Sequence, residues 1–312
     1  MLPFEETSSV FKHDPELFTQ TIYGGALGNL RIASLLSDLL PWIDARPDLT
    51  TILDLGAGHA PMTLELLKQR PNLRAILVDP SAELLRSAEE RQASLGIPAA
   101  SVERIVDSVP GVFPKLMRTR IDLILCHAVV NWVDEPVSFL HDLVDFCEAT
   151  GADVSLVFGS TIGKALRFVR NGSLTEALNS AQTVVPQVPS LLGDHQVRPL
   201  DPDYVAYILH KRACRLHLKA GVRVFADLAP PGCMDNEHDL AKLAALERAT
   251  RRRRSYWRLG QLVHFVFSSQ FGLQGEMSAQ LSLFDSSQLS SPDALPAPVT
   301  PEESFEAATA IE

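Results

Sequence analysis

The 312-residue chain has 28 Lys+Arg against 38 Asp+Glu, a formal net charge of -10, with 46% hydrophobic and 21% charged residues. That composition belongs to a packed globular protein and excludes the disordered and collagen-like classes. Apolar runs such as Val154 to Phe158 are strand-length, far short of the roughly 20 residues of a membrane helix. The opening Met1-Leu-Pro-Phe-Glu-Glu has no basic segment followed by an apolar one, so no export signal and a cytoplasmic address are expected. Seven of the acids, and no Lys or Arg, fall between Glu276 and Glu312; taking those seven from -10 leaves residues 1–275 at -3. The acidity is therefore mostly a property of the tail, and the body remains compatible with a nucleic-acid partner. Cys126, Cys147, Cys214 and Cys233 form no close pair, which fits neither a disulfide framework nor a metal spacing, so no metal is expected.

The first 45 residues read as helical, with Leu27, Leu30, Ile32, Leu35, Leu36, Leu39 and Leu40 near a 3.6 period and Pro41 and Pro47 as stops. Thr51 to Leu55 is a strand, Gly56-Ala-Gly58-His-Ala60-Pro61 a turn, and Met62 to Gln69 a helix. Ala75 to Asp79 repeats the strand, and Ser81 caps a helix that Gly96 stops. Further strands follow at Val102 to Val106, Ile121 to Cys126 and Asp153 to Phe158, with a helix around Val137 to Ala149. Thr161 to Leu178 reads as one helix, Val184 to Val197 as loop, and Asp201 to His210 as helix. A bent strand from Cys214 to Phe225, a helix from Asp239 to Arg251 and a last strand from Gln261 to Phe267 complete the body. The alternation predicts a three-layer α/β fold, Rossmann-like, around a mostly parallel seven-stranded sheet ending in one antiparallel strand. Residues 276–312, rich in Ser, Pro, Ala and acids, read as a disordered tail.

The glycine turn alone is weak, because the same geometry serves several nucleotide ligands. Three carboxylates narrow it. Asp54 lies at the turn itself, within Asp54-Leu-Gly56-Ala57-Gly58, and suits a cationic amino-acid group better than a pyrophosphate. Asp79, ending the next strand, can accept from two ribose hydroxyls, and Asp107-Ser108, ending the third, can reach an adenine amine. This is the layout of a class I S-adenosylmethionine-dependent methyltransferase; the competing nicotinamide site requires a third glycine where Ala60 stands.

Four other segments carry a narrower likeness: Phe18-Thr-Gln-Thr-Ile-Tyr-Gly24 with Gly28-Asn-Leu-Arg31, Ile124-Leu-Cys-His-Ala-Val-Val-Asn-Trp-Val133, Gly221-Val-Arg-Val-Phe225, and Leu259-Gly260 with His264. With the cofactor turn they span about residues 11–270 and resemble the bacterial tRNA 5-carboxymethoxyuridine methyltransferases. The resemblance implies S-adenosylmethionine contacts from Arg31, Gly56, Ala57, Asp79, Asp107, Ser108 and His127, and methyl transfer to a carboxylate of a wobble uridine. Arg31 is also a fitting donor for the cofactor carboxylate. Tyr23, Arg223, Tyr256 and His127 are the candidates for holding the acidic substrate. Expected domains are a helical cap (1–45), a methyltransferase domain (46–275) with an insertion at about 160–212, and the tail.

Two features point elsewhere. Ala181 to Gln196, inside the insertion where a nucleic-acid binder would carry basic residues, contains no Lys or Arg. Positive charge gathers instead at Arg251-Arg-Arg-Arg254 beside Tyr256, Trp257 and Arg258, and at Lys211, Arg212, Arg215 and Lys219. That Arg run is either a dipole-compensating helix end or a grip for a phosphate backbone with stacked bases. In the tail, Gln280-Leu281-Ser282-Leu283-Phe284 resembles the peptide by which bacterial replication proteins dock on the DNA sliding clamp. Besides a tRNA enzyme, the sequence therefore allows a clamp-recruited methyltransferase fold or a small-molecule carboxyl methyltransferase.

Overall fold

A computed structural model describes residues 24–183, 198–230 and 232–269. The chain divides into a unit of Met1–Gln274 and a second of Gly275–Glu312, the latter outside the described residues. Tyr23 and Gln280 to Phe284 also lie outside them.

The leucine period at the start gives helix α1 (Gly25–Asp44), which buries Leu30, Leu35, Leu39, Trp42 and Ile43. The same face buries Arg31, Ser34 and Asp38, a polar stripe at i, i+3 and i+7. The expected stop at Pro41 does not occur, because the helix runs through it. Proline cannot donate to the Ser37 carbonyl one turn back, but Arg252 Nη2 donates to that oxygen at 2.9 Å and satisfies it.

Strands β1 (Thr51–Leu55), β2 (Arg74–Asp79), β3 (Val102–Val106), β4 (Leu123–His127) and β5 (Asp153–Gly159) alternate with helices α2 (Pro61–Gln69), α3 (Ala82–Ser94), the short α4 (Phe113–Leu116) and α5 (Pro136–Thr150). After β5 come α6 (Thr161–Arg170), α7 (Leu174–Gln182), α8 (Pro202–Lys211), β6 (Cys214–Val222), α9 (Glu237–Thr250) and β7 (Leu262–Ser269). The seven-stranded sheet has the order β3-β2-β1-β4-β5-β7-β6. β1 to β5 pair in parallel, while β7 runs antiparallel to both β5 and β6, as the alternation predicts. Every residue of β5 and β7 is buried, as strands covered on both faces must be. β6 carries the expected bend as a register shift between Leu216 and Leu218.

The single helix read over Thr161 to Leu178 is two. The Gly172 N–H donates to the Val169 carbonyl and the Ser173 N–H to the Phe168 carbonyl, a C-terminal motif that closes α6 before the apolar period resumes in α7. The start of α6 lies on the turn before β7, where a Cβ on Gly163 would collide with the Gly260 carbonyl and come within 2.7 Å of Gln261 Cα. Gly163→Ala should therefore lower stability by about 1–3 kcal/mol through overpacking against backbone, seen as a reduced urea midpoint at unchanged m-value.

Candidate functional site

Open α/β sheets bind ligands beyond the carboxyl ends of their parallel strands, and the predicted residues gather there. β1 ends at Leu55 and the chain turns through Gly56, at φ +64, into α2. A Cβ at Gly56 would sit 2.6 Å from Val129 Cγ2 in the loop after β4, so the turn requires glycine for conformation and space. The third glycine of a dinucleotide site would fall at Pro61, one residue beyond the Ala60 expected from the sequence; Ala60 is buried and itself left-handed at φ 50.

Asp79, at the end of β2, accepts the Gly58 N–H on Oδ2 and the Ser81 N–H on Oδ1, both at 2.8 Å. It thereby ties the glycine turn to the start of α3, and each oxygen retains a lone pair for a hydroxyl. Asp54 Oδ2 accepts from Thr63 Oγ1 at 2.5 Å. Burial pushes the Asp54 carboxyl up to about 7, against the Thr63 hydrogen bond and with help from the Asp79 charge. Burial also raises Asp79, against its two backbone donors. Two desolvated carboxylates in mutual repulsion form a site that gains from a cation. Asp107, after β3, differs: Lys115 Nζ at 2.6 Å and the Ser108 N–H at 2.8 Å hold its carboxyl below the usual range. It is therefore a partly exposed, already paired acceptor at the rim, with Ser108 beside it.

Arg31 is buried on α1; burial, with smaller contributions from His264 and Arg31, holds His127 well below its usual pKa. His127 ends β4, and its Nε2 lies 2.8 Å from Ser155 Oγ on β5. Ser155 Oγ lies 2.9 Å from His264 Nε2 on β7, and His264 Nδ1 lies 2.8 Å from Asp38 Oδ2 on α1. Asp38 also accepts from both Nη atoms of Arg251 and, at 2.9 and 2.7 Å, from Arg252 Nε and Nη2.

The substrate candidates Arg223 and Tyr256 meet around the turn after β6. Arg223, at φ +60, is engaged by Asp227 through Nε at 2.7 Å and through Nη2, so its charge is already answered. Tyr256 packs its ring 5.7 Å from Phe225, and Phe225 joins the cluster of Leu27 and Leu30 on α1. Glu247 fixes this turn by accepting the N–H groups of Val224, Phe225 and Ala226.

The arginine run is corrected by its surroundings. Arg251 is 1% exposed and serves Asp38 and the Gly221 carbonyl, so one of the four arginines read as surface charge is internal, while Arg252, Arg253 and Arg254 remain exposed. Trp257, also buried, packs on Phe265 with Arg258 over its ring, and is not available to stack a base. Sequence reasoning passed over Asp38, Ser155 and Glu247. The signal available was a polar residue inside an apolar element, as in Leu35-Leu-Ser-Asp38-Leu-Leu and Asp153-Val-Ser155-Leu-Val. Among the described residues no group of three or more His, Cys, Asp or Glu is placed to hold a metal, and no helix is long and apolar enough to cross a membrane.

Residues 53–152 match the family described as "Methyltransferase domain". Over 254 residues the chain is 29% identical to the tRNA 5-carboxymethoxyuridine methyltransferase of Escherichia coli (strain K12), covering 80% of this chain and 92% of that protein. A trans-aconitate 2-methyltransferase of Azoarcus sp. (strain BH72) is 30% identical over 97 residues, 31% of this chain and 34% of the relative. Among solved structures, a plantazolicin methyltransferase complexed with S-adenosylhomocysteine aligns at a TM-score of 0.48 and 13% identity over 84% of this chain and 93% of that one. The chain is a class I S-adenosylmethionine-dependent methyltransferase. Within that class it is similar, over most of its length, to the tRNA 5-carboxymethoxyuridine methyltransferases. The residues present fit the cofactor, since paired, desolvated carboxylates at the glycine turn suit its cationic groups.

In the free protein, Asp54 binds its proton more tightly folded than unfolded. Its contribution to stability is present below about pH 4 and is lost as pH rises toward about 7. Asp54→Asn should remove this loss. Chemical denaturation of both proteins at pH 5 and pH 8 should show the variant gaining relative to wild type at the higher pH, and an equal difference at both would contradict the shift.

Proposed function

We propose that the enzyme methylates a carboxylate on a modified nucleoside of tRNA, 5-carboxymethoxyuridine. The observation that carries this reading is the match to the tRNA enzyme over 92% of its length, which extends well beyond the common methyltransferase segment. In this reading residues 46–275 form the methyltransferase domain, α1 belongs to the cap, and residues about 160–212 form the insertion.

S-adenosylmethionine supplies a methyl group made electrophilic by its sulfonium. The residues proposed to hold it are Arg31 for its carboxylate, Asp54 and the Gly56-Ala57-Gly58 turn for its amino-acid portion, Asp79 for the ribose, and Asp107 with Ser108 for the base. His127 adds a ring nitrogen at the end of β4. An acceptor carboxylate is ionised at neutral pH, so no side chain has to remove a proton before it attacks. The work left to this chain is to align the acceptor and exclude water, for which Tyr23, Arg223 and Tyr256 are proposed.

A second reading, a small carboxylic acid as acceptor, is favoured by the burial of Arg251 and Trp257, which takes one cation and the tryptophan out of the expected RNA-facing surface. Mass spectrometry of tRNA nucleosides from a deletion strain separates the two. The methyl ester of 5-carboxymethoxyuridine should disappear and the free acid accumulate; an unchanged nucleoside profile would reject the tRNA reading. Docking on the sliding clamp is a separate proposal resting on Gln280, Leu281, Ser282, Leu283 and Phe284. Phe284→Ala in the full chain should lose binding to purified clamp.

A further inference from the structure

The buried chain from His127 to Asp38 has a direction that donor and acceptor chemistry fixes. Asp38 receives two guanidinium groups and is 6% exposed, so it is an ionised, acceptor-only carboxylate. His264 Nδ1, 2.8 Å from it, must carry a hydrogen. His264 is fully buried, and a proton on its second nitrogen would set a third cation beside Arg251 and Arg252 around a single carboxylate. The imidazole therefore stays neutral, leaving Nε2 as a lone pair. Ser155 has one hydroxyl hydrogen and gives it to that nitrogen at 2.9 Å. Its oxygen is left to accept from His127 Nε2 at 2.8 Å. The sheet makes this line possible. His127 and His264 are both registered with Val157 of β5, and Ser155, two residues earlier, projects from the same face as Val157.

We propose that Asp38, His264 and Ser155 are positioning residues: a one-way hydrogen-bond relay that holds His127 as its Nε2–H tautomer and leaves its Nδ1 a bare acceptor at the carboxyl end of β4. A bare acceptor attracts an ammonium, a hydroxyl or a water and repels a carboxylate. On the reading that the end of β4 borders the cofactor, this assigns His127 to a hydrogen-bond donor of S-adenosylmethionine and removes it from the groups that hold the acidic substrate. The polar stripe of α1 gains a reason, since one helix places Arg31 near His127 and Asp38 at the far end of the relay.

The test is long-range proton–nitrogen NMR of the full-length protein labelled with 15N-histidine, without ligand. Wild type should show His127 with its proton on Nε2 and an unprotonated Nδ1; the opposite tautomer would overturn the relay without any variant being needed. Ser155→Ala leaves the Asp38–His264–Arg251 cluster intact and should give His127 a mixed tautomer population, while Ser155→Thr, which keeps the hydroxyl, should restore the wild-type signal. A folded Ser155→Ala protein with an unchanged His127 signal would also overturn the proposal. Affinity for S-adenosylhomocysteine should fall about fivefold in Ser155→Ala, the size of one lost hydrogen bond. A changed tautomer with unchanged affinity would leave the relay standing and reject the placing of His127 on the cofactor.

Discussion

Asp38 is the carboxylate on which three separate parts of the fold converge. It lies in the middle of α1, accepts from His264 on β7, and takes both arginines that end α9. Burial would raise its pKa, but hydrogen bonds from His264 and Arg251 and their charges hold it well below the carboxylate range. Removing one partner of such a cluster leaves an uncompensated buried charge, so the elements it joins depend on one another. The same arginines extend the effect. Arg252 satisfies the carbonyl that Pro41 orphans, and Arg251 takes the carbonyl of Gly221 at the end of β6. The N-terminal helix and the antiparallel end of the sheet are thus fastened by a single ion cluster, across more than two hundred residues of sequence.

The contrast with Asp54 shows how surroundings set the charge of a buried carboxylate. Both are 6% exposed, yet Asp38 is held down by guanidinium groups while Asp54 is pushed up to about 7 with a hydroxyl as its hydrogen-bond donor. A protein that needed Asp54 only for stability would gain by pairing or replacing it, because burial makes its charged form costly. The cost is understandable where a cationic ligand is bound, because its charge favours the ionised carboxylate. Asp79 lies between the two extremes, anchored by backbone donors on both oxygens but still raised by burial.

Local chemistry decided what the sequence disclosed. β1, β2 and the Ser81 cap are legible because a short apolar run or a capping hydroxyl is its own signal. Asp79, which ends β2, and Asp107, which follows β3, are legible by their place directly after a strand pattern. Pro41 misleads because the group that rescues its orphaned carbonyl is 211 residues away, and the break between α6 and α7 is hidden because apolar spacing resumes directly after Gly172-Ser173. The relay is invisible in one dimension. Ser155 reads as a minor interruption of an apolar strand and His264 as one polar residue in another, and only strand order makes them neighbours. Groups that their own turn signals can be read from sequence, whereas groups engaged through a partner on another element need the sheet.

Charge counting meets the same limit. The sequence shows basic clusters, but in the fold several of those cations are already matched: Arg258 to Asp203 at 2.7 Å, Arg212 to Asp145, and Arg251 and Arg252 to Asp38; outside the clusters, Arg46 pairs with Asp153 at 2.6 Å and Arg223 with Asp227. A cation that neutralises a neighbouring acid contributes little to the long-range field that draws in a polyanion, because the pair acts as a dipole beyond a Debye length of about 8 Å. On the tRNA reading, the body holds its substrate with fewer phosphate neutralisations than its 28 Lys+Arg imply. Recognition then leans on the shape of the nucleic acid and on the acceptor nucleoside itself, whose extra carboxylate is the feature that separates it from an ordinary uridine.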